Sequence, residues 1–140
     1  MAAVLFDSSV YIKALRGTPE SLLALQKDLS TASLWLSSVV LEELYAGAGQ
    51  KGHAAVERLQ RDFDKARRIL VPTLTDWTDT GKILGRLGSK YGFEEIGRGR
   101  LTNDALIAIS ASRKGITVIT DNDRDFARLA EFAAFRWSKP

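Results

Sequence analysis

The chain has 140 residues, 45% of them hydrophobic, with a formal net charge of +3 and no cysteine. That length and composition suit a single globular domain over 1–140. The lack of Cys excludes a disulfide framework and thiolate metal sites, and no apolar run approaches membrane-span length. Neither secretion nor membrane insertion is expected, and a reducing cytoplasm fits the composition.

Taken in chain order, strand signals alternate with helix signals. Ala3 to Phe6 predicts a first strand and Ser8 to Leu15 a short helix. Pro19 to Leu29 predicts another helix, with Thr18 as N-cap and Pro19 at its first position. Leu34 to Ser37 is a second strand, followed by a helix over Val39 to Ala48 that ends near Gly47 and Gly49. His53 to Arg67 is amphipathic, with Val56, Leu59, Phe63 and Ala66 on one side. Ile69 to Val71 predicts a third strand closed by Pro72. Thr75 to Tyr91 predicts a long helix in which Gly81, Gly85 and Gly88 mark close packing or a bend. Thr102 to Arg113 is helical, Thr117 to Ile119 a fourth strand, Asp123 to Ala130 a last helix, and Phe132 to Phe135 a fifth strand. This alternation implies an α/β fold, a three-layer α/β/α sandwich on a central parallel sheet of four to five strands.

Carboxylates recur where the apolar runs stop. Asp7 ends the first strand, Glu42 and Glu43 follow the second, Asp104 opens the Ala/Ile-rich helix, and Asp121-Asn122-Asp123 follows the fourth strand. In a parallel sheet the carboxyl ends of the strands share one edge, so these acids can meet in one crevice. Clustered carboxylates repel, and a hard divalent cation relieves them. Asp7 precedes a helix and serves equally well as its N-cap. Asp104 sits in a helix apolar enough to be largely buried, and a buried carboxylate is costly unless paired or metal-bound. Periodicity barely separates Glu43 from Glu42. In the turn, an Asx cap accounts for one or two residues, fewer than the three Asp and one Asn at 121–125. Arg98 and Arg100, within Gly97-Arg98-Gly99-Arg100, predict a flexible basic rim beside the acids. Arg58 to Arg68 reads more simply as a solvated helix face. A basic rim over metal-binding acids is the charge pattern of a phosphodiester-processing site.

Four stretches together resemble the PIN-domain endoribonucleases, most closely toxins of the VapC type: Leu5 to Ile12, Ser37 to Gly47, Asn103 to Ala108, and Val118 to Phe126. They occur in the family's order and spacing over nearly the whole chain. The resemblance selects Glu43, the Glu directly before Leu, over Glu42, and matches Asp7 and Asp104 to the central metal ligands. It matches Ser8 or Ser9 to a hydroxyl that bonds within the site and Thr120 to the threonine ending the fourth strand. The family's fourth acidic position falls on Asn122, so the ligand there is Asn122, Asp121 or Asp123. Asp125 matches a position that is more often structural.

What the resemblance implies is hydrolysis of RNA phosphodiesters with Mg²⁺ or Mn²⁺, catalysed around Asp7, Glu43, Asp104 and Asn122. Asp7, Asp104, Glu43, Asp121 and Asp123 would ligate metal, and Ser8, Ser9, Arg98, Arg100 and Thr120 would contact the substrate, which is expected to be single-stranded. It also implies a cognate antitoxin lying across the groove and a homodimer. Trp35, Trp77 and Trp137 are assigned to the core by default. A non-catalytic PIN-like binding module is the rival reading. A phosphorylatable receiver domain is discounted, because the third strand ends in Val71-Pro72-Thr73 with no Asp.

Overall fold

The computed structural model describes residues 2–16, 33–98 and 101–140, without the side chains at 96–98. Five short apolar runs become strands: β1 (Ala3–Phe6), β2 (Ser33–Ser37), β3 (Ile69–Leu70), β4 (Thr117–Ile119) and β5 (Trp137–Ser138). They form one sheet in the order β3-β2-β1-β4-β5, and every pairing is parallel. Central β1 is buried over Val4, Leu5 and Phe6, as a strand covered on both faces must be. The helices are α1 (Ser8–Arg16), α2 (Ser38–Lys65), α3 (Leu74–Tyr91), α4 (Phe93–Arg98), α5 (Leu101–Arg113) and α6 (Asp123–Ala130). The result is the α/β/α sandwich that the alternation predicts.

Two cores hold the layers. Leu5, Phe6, Tyr11, Leu36, Val40, Leu44, Val56, Phe63, Ile107, Val118 and Phe126 belong to the larger, which joins the sheet to α1, α2, α5 and α6. Leu87, Leu101, Ala105 and Leu129 form a smaller one between α3, α5 and α6. At roughly 1.5–3 kcal/mol per fully buried large apolar side chain, the larger core is the dominant source of stability.

Several expectations shift. The two helices predicted over 39–48 and 53–67 form one run, Ser38–Lys65, interrupted at Gly49, whose φ of 63° and ψ of 178° suit glycine almost alone. Of the glycines predicted to pack closely in α3, only Gly88 does so: a Cβ there would strike the Phe93 ring, whereas Gly81 and Gly85 face open space. α3 starts at Leu74 because Thr73 and Asp76 close a capping box. The loop expected around Gly97 and Arg98 is instead the end of α4. The fifth strand lies at Trp137–Ser138 and not at 132–135. Phe132 and Phe135 pack on the cores, and the ladder passes through Val118 N to Arg136 O at 2.9 Å and Thr120 N to Ser138 O at 3.0 Å. Trp77 is 53% exposed, so the core default fails there, while Trp35 and Trp137 pack against the larger core. The helix expected at Pro19–Leu29, with its Thr18 cap, lies outside the described residues.

Candidate active site

The register of β1 and β4 sets the centre of the site. Phe6 stands opposite Ile119, so the next residues, Asp7 and Thr120, leave the sheet side by side, and Asp7 N donates to Ile119 O at 3.0 Å. Both are buried. Thr120 Oγ1 donates to Asp7 Oδ2 at 2.5 Å, and Ser9 Oγ donates to Asp7 Oδ1 at 2.5 Å. Each hydroxyl also accepts from the turn after β4: Thr120 Oγ1 from Asn122 N at 2.9 Å, and Ser9 Oγ from Asp121 N at 3.3 Å. With their acceptor side occupied by backbone N–H groups, both hydroxyls aim their protons at the carboxylate. Ser9 N also reaches Asp7 Oδ1 at 3.1 Å, so Asp7 caps α1 as well as facing the crevice.

Asp104 enters on the first turn of α5 and Glu43 on the second turn of α2. Burial first, then the charges of Asp7, Glu43 and Asp125, raise the Asp104 carboxyl to about 8. Burial is also the largest cause of the raised pKa of Asp7, against which the Ser9 and Thr120 hydrogen bonds work. Glu43 is raised by burial and by the charges of Asp7 and Glu42, and lowered by hydrogen bonds to Ser8 and Asn103. Three carboxylates from distant parts of the chain therefore feel one another's charge. Among the described residues Glu43 Oε1 is buried without a hydrogen-bond partner, whereas Glu42 is exposed.

The turn after β4 divides its polar residues. Asn122 Nδ2 donates to Asp125 Oδ2 at 2.9 Å and to Asp104 Oδ2 at 3.3 Å, so one amide bridges two acids. Asp121 turns to Lys13 at 3.8 Å, and Asp123 to Lys139 at 2.5 Å. Asp123 Oδ1 remains buried, with no partner among the described residues. Asp125, which the sequence reading left as structural, is the residue of this turn whose charge acts on Asp104. Its signal was its place three residues after Asn122, on the same side of α6. Asn103, also missed, touches Glu43 from the start of α5. Ser8 contacts Glu43. Of the expected rim, Arg98's side chain and the whole of Arg100 lie outside the described residues.

The donor set is hard oxygen, suited to Mg²⁺ or Mn²⁺ and unsuited to soft metals. The unpartnered Glu43 Oε1 fits a cation between the acids. Among the described residues no three His, Cys, Asp or Glu groups close into a ready cage. His53, the chain's one histidine, is engaged elsewhere, with Nε2 3.1 Å from Tyr45 O. A cavity of 470 Å³ between α3, α5 and residues 133–135 contains none of these acids, and its Asp76 and Arg113 are paired with each other.

The PIN-domain family model matches residues 4–132. The chain belongs to the PIN-domain family. PIN domains are typically nucleases and generally use divalent metal ions. Chains of solved VapBC structures share the fold of this PIN domain. A DNA-bound VapBC from Salmonella typhimurium gives a TM-score of 0.73 at 24% identity, covering 99% of this chain and 98% of that one. VapBC from Rickettsia felis, bound to a promoter DNA fragment, gives 0.67 at 19%, covering 99% and 98%. VapBC from nontypeable Haemophilus influenzae gives 0.66 at 22%, covering 98% and 97%. No curated protein matches the sequence. Among the described residues no helix is long and apolar enough to cross a membrane.

Proposed function

We propose that this PIN domain is a metal-dependent endoribonuclease of the VapC type, the toxin of a type II toxin-antitoxin pair. The observation that carries the reading is the approach of Asp7, Glu43 and Asp104 to one another, with burial raising all three and the charge of Asp7 raising Glu43 and Asp104 further. Such a cluster is unfavourable alone and becomes favourable around a cation.

Asp7 and Asp104 would hold the ion, Mg²⁺ or Mn²⁺, with the 121–123 turn completing the set and Glu43 facing it. When bound, the ion supplies a water activated for attack and charge to offset the phosphorane-like transition state. The chain's own residues do the rest. Ser9 and Thr120 fix the plane of the Asp7 carboxylate. Asn122 holds Asp104 and Asp125 apart at a set spacing. Glu43, with Oε1 unengaged and its proton affinity raised, is placed to take the proton that the attacking water loses. Arg98 and Arg100 would grip phosphates at the rim. Single-stranded RNA suits an open groove because its backbone and bases are accessible.

The partner would be a cognate antitoxin, as in the VapBC complexes that share this fold, with a segment that crosses the groove and pairs with these acids. A homodimer and a cytoplasmic location complete the proposal. The deciding assay is cleavage of mixed cellular RNA by the purified chain with EDTA, Mg²⁺ or Mn²⁺, beside Asp7→Asn. Cleavage that needs metal and Asp7 is expected; RNA left intact under every condition would leave a binding-only module.

A further inference from the structure

Outside the acid cluster, one group of charges has an arrangement that its own stability does not explain. Arg124 and Arg128 stand one turn apart on α6, and both reach the same oxygen, Glu95 Oε1 on α4, at 3.3 and 3.0 Å. Each gives that oxygen a single N–H, leaving most of its five donors for another acceptor. Two guanidiniums therefore share one carboxylate. The Arg124 and Glu95 side chains are 74% and 48% exposed, so this link contributes little to folding and opens at little cost.

Arg128 is better fixed. Its side chain is only 20% exposed, and its guanidinium carbon lies 4.6 Å from the centre of the Tyr91 ring. Tyr91 is anchored in turn by its hydroxyl, which donates to the Glu131 carboxylate at 2.7 and 2.8 Å, and Glu131 also pairs with Lys90 at 3.0 Å. A preformed pair of guanidinium forks, one resting on an aromatic face, matches phosphate better than it matches a lone carboxylate oxygen. The pair also adjoins the acids along the chain: Arg124 directly precedes Asp125, and Arg128 follows it by three residues, about 4.5 Å along the helix axis.

We propose that Arg124 and Arg128 form a phosphate-binding subsite for the RNA strand, and that Glu95 is its internal occupant, displaced when a backbone phosphate enters. The choice of RNA rests on the nuclease reading above. The subsite explains why α4 is tied to α6 by one shared carboxylate, and it adds a second phosphate grip beyond Arg98 and Arg100.

The test is the binding of fluorescent single-stranded RNA to the full chain across a salt series in EDTA, where metal-dependent cleavage is absent. Glu95→Gln removes the internal anion and should tighten binding about three- to fivefold at low salt, the factor equivalent to releasing an exposed ion pair. Glu57→Gln, on α2, makes the same change in net charge and should do nothing comparable. Arg124→Ala with Arg128→Ala should weaken binding and lower the slope of log K against log salt by about 1.4, two contacts at about 0.7 each. Thermal melts of each variant check the fold, and Glu95→Gln alone decides the matter should the double variant unfold. Binding by Glu95→Gln no tighter than by Glu57→Gln would overturn the subsite, as would an unchanged slope in a folded double variant. Tighter binding by Glu95→Gln in a chain that never cleaves RNA supports the subsite and refutes the nuclease reading alone.

Discussion

Replacing Asp104 with Asn removes a group that the folded site strains electrostatically while keeping its shape. The substituted amide oxygen still accepts from Asn122 Nδ2, which now lies 3.3 Å from Oδ2. In the native protein burial, followed by the charges of Asp7, Glu43 and Asp125, raises this carboxyl from 3.8 to about 8. Between those values the folded state binds more protons than the unfolded chain. The contribution of Asp104 to stability is therefore fully present below about pH 4 and is lost as pH rises to about 8. At about 1.4 kcal/mol per pKa unit, the whole shift sets a ceiling of about 6 kcal/mol. An effective dielectric near 20 leaves about 1–2 kcal/mol of that. Asp104→Asn should thus melt about 3–8 °C above wild type at about pH 8 in EDTA, with a flatter pH profile. Adding Mg²⁺ or Mn²⁺ should reverse the order, because a ligand binding only the native state stabilises wild type by about 1.4 kcal/mol per tenfold excess over Kd. Differential scanning fluorimetry between about pH 5 and pH 9, with EDTA and with metal, reads both effects. A variant that melts at or below wild type in EDTA, with the same pH slope, would refute the claim that Asp104 is repelled and desolvated in the native state.

Three other outcomes follow from the same geometry. Glu43→Gln should reduce RNA cleavage by about 10²-fold or more, the usual loss of a proton acceptor, while the exposed Glu42→Gln stays near wild type; equal rates would show that Glu43 does not act in the cluster. Thr120→Val removes both the proton given to Asp7 and the acceptor for Asn122 N, and should cost about 1–3 kcal/mol in urea unfolding, a loss that an unchanged midpoint would exclude. Gly49→Ala forces a side chain into φ 63°, ψ 178°, although no atom lies within 4 Å of the new Cβ. It should destabilise by about 1–3 kcal/mol through backbone strain alone, as read by the shift in urea midpoint.

The elements readable in the sequence are those whose local signals agree with their burial. The Ala3 to Phe6 run, short and apolar before Asp7, could only be a covered strand, and it is the centre of the sheet. Gly49 was visible as a breaker and the segment beyond it as amphipathic, but not that the two helices run on as one. α4 was hidden because Gly97 and the basic residues around it read as a loop; its packing contact is Phe93 over Gly88, which no local pattern announces. The fifth strand was misplaced because Phe132 and Phe135 are apolar for packing reasons, while the pairing residues Trp137 and Ser138 carry no strand pattern of their own. In the crevice, the positions of Asp7 and Asp104 at element ends could be read directly. The division of labour within 121–125 could not, since it depends on Lys13 and Lys139, far away in sequence, drawing Asp121 and Asp123 aside.

That division bears on how the fold sustains a repulsive site. A one-residue slip between β1 and β4 would carry Thr120 past Asp7 and turn every side chain of the slipped strand to the opposite face. The register is pinned by the full burial of Leu5 and Val118, which stand opposite one another. The apolar contacts that stabilise the sheet therefore also bring the hydroxyl of Thr120 to the carboxylate of Asp7. Asp7, the most buried of the three acids, receives two hydroxyl protons, whereas among the described residues Asp104 receives only the long bond from Asn122. Burial raises both, but Asp7 is opposed by short hydrogen bonds and Asp104 is raised further by neighbouring charges, so the pair is graded. Mutating the steadying hydroxyls should consequently raise Asp7 further and loosen the acid cluster from the sheet side, whereas mutating Asp104 should relieve it. Opposite signs for Thr120→Val and Asp104→Asn in metal-free melts are the signature of that gradient, and the same sign for both would mean that the acids are held equivalently.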